Sequence, residues 1–310
     1  MGVELGKTHH LEVGENNKKV DYIRLCPPVE KLTSREPVVF LLGFSEDPKT
    51  HEKLLKAVYD EGYIVFCLKT YPRQTLSTKE NGHPPGLAQN IGVASALIHE
   101  ARSFDPDNPD EKTGPQGKVN LMGRSMGGVI GAFTASQEPE NIHNLFLIDT
   151  KLTPPEHPLN LAFNFTISGT KAFEQTIFHP LQNKHVPRVA EKLATYILSH
   201  PKMTIDEISA IANADMRPLL PKLRQQGIGV HGIHGTSDQV FPIDNISIDQ
   251  ACFDSFFTVG PKKNTDTPSP KELGYTPDYT PINHGSIHSN DKYITLITYA
   301  LKNAIKPRSS

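Results

Sequence analysis

Two hydrophobic rhythms run along the chain. The runs PVVFLLG at 37–43 and YIVFCL at 63–68 are almost continuously apolar and rich in β-branched and aromatic residues, the pattern of strands buried on both faces. Residues 19–25 alternate less regularly and read as a further strand, so two strands are expected before the first helix. That helix is predicted over 51–61, where Leu54, Leu55, Val58 and Tyr59 keep the spacing of an amphipathic face and Gly62 supplies a stop. A second helix is predicted over 87–104, ended by the Asp-, Pro- and Gly-filled loop 105–117. A strand at 119–122, a helix at 127–136 and a strand at 144–148 follow. Such alternation predicts a mostly parallel central sheet flanked by helices on both faces. From 150 to 226 no convincing strand occurs, and stretches such as 189–199 and 205–212 read as helices. The alternation resumes at 227–235 and 253–259 and closes with a helix at 291–304. The expected division is therefore an α/β core made of 1–149 and 227–310, with a helical insertion, 150–226, after the sixth core strand.

Composition narrows the class. A chain of 310 residues allows one large α/β domain with an insertion, and 37 % hydrophobic residues with 22 glycines is ordinary for a globular protein. Lys plus Arg, 32, nearly balances Asp plus Glu, 34, and no block of like charge is long enough to grip a phosphate backbone, so no nucleic-acid partner is expected. No apolar run approaches the roughly 20 residues that cross a bilayer. The three cysteines, Cys26, Cys67 and Cys252, form no CxxC pair, which argues against a disulfide framework or a thiolate metal site. With no apolar leader at 1–10, the expected location is cytoplasmic. The proline cluster at 261–281 reads as a loop, and nothing in the pattern bears on oligomeric state.

The chemistry is concentrated in three places. Gly123-Arg124-Ser125-Met126-Gly127-Gly128 follows a strand and opens a helix, the context a nucleophile elbow requires. A serine on so sharp a turn is held in a strained conformation, and the residues two before and two after it must be small for the chain to pass itself; Gly123 and Gly127 meet that need. The bland alternative is a glycine-rich turn with an idle serine. Downstream, the segment GTSDQVFP at 235–242 leaves a strand with an acid, Asp238, and His284 lies in a loop before the last helix.

Serine, acid and histidine in that chain order resemble an α/β-hydrolase of the capped serine-esterase, lipase and C–C-hydrolase type, over about 37–301, with HGSIHSNDKYITLITYAL as the third matching segment. The resemblance implies Ser125 as nucleophile, Asp238 as orienting acid, His284 as general base and the insertion as a cap over the site. It also implies an oxyanion hole from the backbone amides of Phe44 and Met126, although Leu42-Gly43 stands where the family has His-Gly. The usual Asp and glycines are likewise missing from 69–73. Asp149 remains an alternative acid and His288 an alternative base. Hydrolysis of a small-molecule carboxylic ester is the expected activity, without cofactor or metal. Cleavage of a thioester, amide or C–C bond, or a catalytically silent binding protein, stays open.

Other features have plainer readings. GIGVHG at 227–232 matches a dinucleotide fingerprint literally, but it follows helical residues and continues as a strand, the wrong order for NAD. His231 and His234 read as structural histidines, and the sequons at 164 and 245 as chance matches. Arg124 reads as an outward-facing residue paired with a neighbour, or else as a partner for an acidic substrate group. In the insertion, Leu161, Phe163, Phe165, Phe173 and Ile177 are expected either to line an acyl-chain pocket or to glue the cap to the sheet.

Overall fold

The computed structural model describes residues 7–13, 18–71, 87–109, 117–165, 195, 197–236, 238, 240–242, 252–259 and 290–305. In chain order the elements are β1 (Thr8–Val13), β2 (Lys18–Leu25), β3 (Val38–Leu41), α1 (Glu52–Asp60), β4 (Val65–Leu68), α2 (Ala88–Arg102), β5 (Val119–Arg124), α3 (Met126–Gln137), β6 (Ile142–Ile148), α4 (Pro201–Asn213), α5 (Leu219–Gln225), β7 (Gly229–Gly235), β8 (Ser255–Val259) and α6 (Asp291–Ile305). The strands form one eight-stranded sheet in the order β1-β2-β4-β3-β5-β6-β7-β8. β2 pairs antiparallel with β1 and β4, and every other pairing is parallel. This is the mostly parallel, helix-flanked sheet expected from the alternation.

The central strands carry no solvent face. All residues of β3, β4 and β5 are buried, because helices cover both sides of a parallel sheet. α1 is amphipathic as predicted: Leu54, Leu55 and Val58 are buried, and the helix packs against α6. Gly62 ends it with φ 85 and donates its N–H to Tyr59 O at 2.9 Å, as an αL glycine after a helix does. β1 is an addition to the two opening strands expected. It lies at the sheet edge with only Leu11 and Val13 buried, too few apolar positions to stand out from a polar leader.

Within 150–226, helical residues 158–165, α4 and α5 are described. α5 packs against α3 and β7. α4 is tied to α2 by a buried hydrogen bond from Asn90 Nδ2 to Glu207 Oε1 at 3.2 Å. Lys151 is fully buried, and its Nζ donates to the carbonyls of Thr153, Pro154 and Ala214. One cation thus joins the start of this segment to the far end of α4. Burial lowers the Lys151 ammonium to about 8. Among the described residues no helix is long and apolar enough to cross a membrane. Most of the helix expected at 189–199, and the loop 261–281, lie outside the described residues.

Parallel registers set where chemistry can occur. Leu41 aligns with Gly123, Arg124 with Ile148, and Ile148 with Ile233. The C-terminal ends of β3, β5, β6 and β7 therefore share one edge of the sheet. The segments leaving that edge hold Phe44, Ser125, Asp149 and Asp238, in the place where open α/β sheets keep their ligands.

Candidate active site

Ser125 stands between β5 and α3 with φ 51 and ψ −120. A non-glycine residue there costs of order 1–3 kcal/mol and persists only where the surroundings over-determine it. The surroundings here are visible: the Ser125 N–H extends the ladder to Ile148 O at 2.9 Å, and α3 begins at the next residue. The two glycines are needed as the spacing implied. A Cβ on Gly123 would lie 2.6 Å from the Cα of Gly128, and one on Gly127 would lie 2.5 Å from Leu42 O. Met126 opens α3, and first-turn amides have no partner within their own helix. Phe44 is buried three residues beyond β3.

Both candidate acids end up beside one histidine. His234 Nδ1 is 3.9 Å from Asp149 Oδ1, and His234 Nε2 is 3.8 Å from Asp238 Oδ2. The Asp238 side chain is fully enclosed, and its Oδ1 accepts the amides of Val240 and Phe241 at 2.8 and 3.0 Å, which fixes the carboxylate through its own turn. Asp149 has φ 41 and accepts the Gly235 amide at 2.7 Å. The Tyr293 hydroxyl, which donates to Ile233 O at 3.3 Å, lies within electrostatic reach of Asp149. Asp149 therefore braces the junction of β6 with β7, whereas Asp238 sits in the turn beyond it. Burial first, and then Asp149, push the Tyr293 phenol well above its ordinary value, so it stays a donor.

Both β7 histidines are held by neighbouring side chains or backbone. His231 stacks on Phe146 with centroids 4.7 Å apart, and its Nδ1 meets Ser255 Oγ at 2.8 Å. Burial lowers it to about 4. His234 Nε2 donates to Phe241 O at 2.7 Å, holding the far end of the Asp238 turn. Asp149, His234 and Asp238 bring one ligand-type atom each within 4.8 Å of one another. The amides and the Phe241 carbonyl already account for that convergence.

Arg124 departs from expectation. It is paired with a neighbour, but it faces inward with 2 % exposure, and its Nη1 meets Glu46 Oε1. Burial lowers its pKa, while Asp149, Tyr293 and Asp238 work in the opposite direction. It is not placed to meet an acidic substrate group from solvent. Glu46, His51 and Tyr293, which surround it or its partners, had no sequence signal, since their roles depend on loops meeting across the sheet edge.

The expected apolar residues of the insertion divide. Leu161 is fully buried in the core, Phe163 is 64 % exposed, and Phe165 packs on Phe44 at a ring separation of 6.1 Å. Phe173 and Ile177 lie outside the described residues, as do His284 and His288.

Comparison with known proteins fits this arrangement. A family model described as alpha/beta hydrolase fold matches residues 111–204. A protein of Mycobacterium phage D29 named as a non-heme haloperoxidase is 21 % identical over 219 residues, 67 % of this chain and 73 % of its own. A thermophilic esterase from Thermogutta terrifontis superposes with a TM-score of 0.61 at 17 % identity, over 96 % of this chain and 99 % of its own. A carboxylesterase of the thaumarchaeon Nitrososphaera gargenis gives 0.63 at 13 % identity, over 96 % and 99 %. At such identities the shared property is the fold.

Proposed function

We propose that the chain, which has the α/β-hydrolase fold, is a serine hydrolase that cleaves a small-molecule carboxylic ester through an acyl-enzyme. The observation that carries this reading is Ser125 held at φ 51 on the turn from β5 to α3. Strain of that kind at a strand end, between two glycines that cannot be larger, lifts a hydroxyl out of the sheet edge.

In this reading His284 takes the Ser125 proton as the oxygen attacks the ester carbonyl, and Asp238 fixes the imidazole tautomer. The amides of Met126 and Phe44 receive the oxyanion. Collapse expels the alcohol, which takes its proton from His284. Water, deprotonated by the same imidazole, then releases the acid and restores Ser125. The cap is 150–226, and Phe165 against Phe44 brings it to the donor loop. Asp238 is preferred to Asp149 because its carboxylate is oriented by its own turn, while Asp149 is occupied at the strand junction.

The test is Ser125→Ala assayed on p-nitrophenyl esters of graded chain length. Loss of a catalytic serine costs several orders of magnitude in kcat, with the thermal transition preserved. Undiminished turnover by the purified variant would end the serine-hydrolase reading.

A further inference from the structure

The donor loop after β3 lacks the family's His-Gly, so its conformation must be fixed in another way. Leu42, Gly43 and Phe44 belong to no strand. In the turn they enter, the Glu46 N–H to Gly43 O bond is long, 3.4 Å, and Ser45 sits at φ 58. What holds it is the Glu46 carboxylate, whose side chain is 6 % exposed. Its Oε2 accepts the Gly43 N–H at 2.6 Å and the His51 Nε2–H at 2.8 Å, and its Oε1 meets the Arg124 guanidinium. His51, buried and neutral, is a donor here and not a second counter-ion. Gly43 is glycine for a related reason, because a Cβ there would lie 2.6 Å from Glu46 Oε2.

Two parts of the candidate site therefore meet on one carboxylate. Gly43 precedes the Phe44 amide, and Arg124 precedes Ser125. Displacing the carboxylate frees the peptide plane that feeds the Phe44 N–H, while leaving the serine on its turn.

We propose that Glu46 is a positioning residue for ester hydrolysis: by joining Arg124 of the elbow to the Gly43 N–H, its carboxylate aims the Phe44 amide at the oxyanion. This rests on the serine-hydrolase reading above. It assigns the missing histidine's positioning task to a buried charge pair.

The experiment compares two double variants of the full chain. Glu46→Leu with Arg124→Met removes both charges, so neither ion is left buried alone. Glu46→Gln with Arg124→Met also removes both, but keeps an amide oxygen for the Gly43 N–H. Each lacks Arg124 beside Asp149 and Asp238, so their difference isolates the anchor. With p-nitrophenyl acetate, kcat of the leucine pair should fall at least about tenfold below that of the glutamine pair, with KM within about threefold; outright removal of one oxyanion donor costs about 10²–10³. Inhibition by a trifluoromethyl ketone, whose hemiketal with serine carries the oxyanion, should weaken by the same factor. Equal kcat and equal inhibition would overturn the proposal. If the leucine pair shows no cooperative melt, Gly43→Ala replaces it, displacing the carboxylate by its methyl group. Wild-type kcat in Gly43→Ala would overturn the proposal in the same way. A wild-type protein that neither hydrolyses esters nor labels at Ser125 would sink both readings; turnover with no difference between variants would sink this one alone.

Discussion

Two glycines one helical turn apart in α3 should respond oppositely to the same substitution. A Cβ on Gly127 would lie 2.5 Å from Leu42 O and 2.6 Å from Leu41 C, well inside the roughly 3.5 Å at which such atoms rest. Both obstacles are backbone, so α3 must retreat from the end of β3 by about 1 Å. Overpacking of this kind costs about 1–3 kcal/mol, and two unyielding carbonyl groups place it at about 3. A Cβ on Gly131 instead finds Leu145 Cδ1 at 3.4 Å and side-chain carbons of Leu121 and Leu41 at 3.5 Å, which is ordinary contact. There alanine gains helix propensity without a clash, about 1 kcal/mol. For 310 residues, an unfolding entropy of about 2.1 cal/mol/K per residue gives about 650 cal/mol/K. Gly127→Ala should thus lower Tm by about 5 °C and Gly131→Ala raise it by about 1–2 °C, measured by calorimetry. Because Leu41 and Leu42 lead into the donor loop, Gly127→Ala should also lose at least about tenfold in kcat. A wild-type Tm and kcat in Gly127→Ala, or equal destabilisation by both, would refute the steric account of the elbow.

Asp238→Asn should cost about 10⁴ in kcat through the wrong imidazole tautomer, whereas Asp149→Asn, which keeps an oxygen for the Gly235 amide, should stay within about tenfold; the opposite ranking would move the acid to Asp149. Stability should fall in mild acid, because burial holds His51 at about 3 and His231 at about 4 in the fold, while both titrate near 6.5 unfolded. Below pH 6.5 the unfolded chain takes up protons that the folded chain refuses, so each histidine's contribution is present above that pH and shrinks as pH falls, by about 2 kcal/mol at pH 5. Urea midpoints at pH 7.5 and 5 should show His51→Gln losing about 2 kcal/mol less than wild type across that interval, and an identical loss would contradict the assignment.

Legibility in the sequence followed the reach of each cause. Buried strands such as VVFL and VFCL show as apolar runs because burial on both faces leaves no polar position, and Gly62 is legible because a helix end needs one αL residue next to it. β1 escapes because an edge strand needs only Leu11 and Val13 inside. At the site, Ser125, Gly123 and Gly127 are legible together, since the elbow is a local steric problem solved within five residues. Glu46 and Arg124 are far apart in sequence and meet only because β3 and β5 are parallel neighbours in register. The same applies to Tyr293, which the arrival of α6 brings to Ile233 O and within electrostatic reach of Asp149. Arg124 illustrates the limit of a local reading: next to a nucleophile, a cation suggests solvent or substrate, yet three buried carboxylates draw it inward.

Covalent labelling decides whether Ser125 is an activated nucleophile. Native protein would be incubated with a fluorophosphonate, digested, and the adduct located by mass spectrometry, with Ser125→Ala as control. One adduct is expected, on the peptide carrying Gly123-Arg124-Ser125, formed at a rate that rises with pH near 6.5 and absent from the control. An unlabelled wild-type protein, or an adduct that persists in Ser125→Ala, would contradict that role for Ser125.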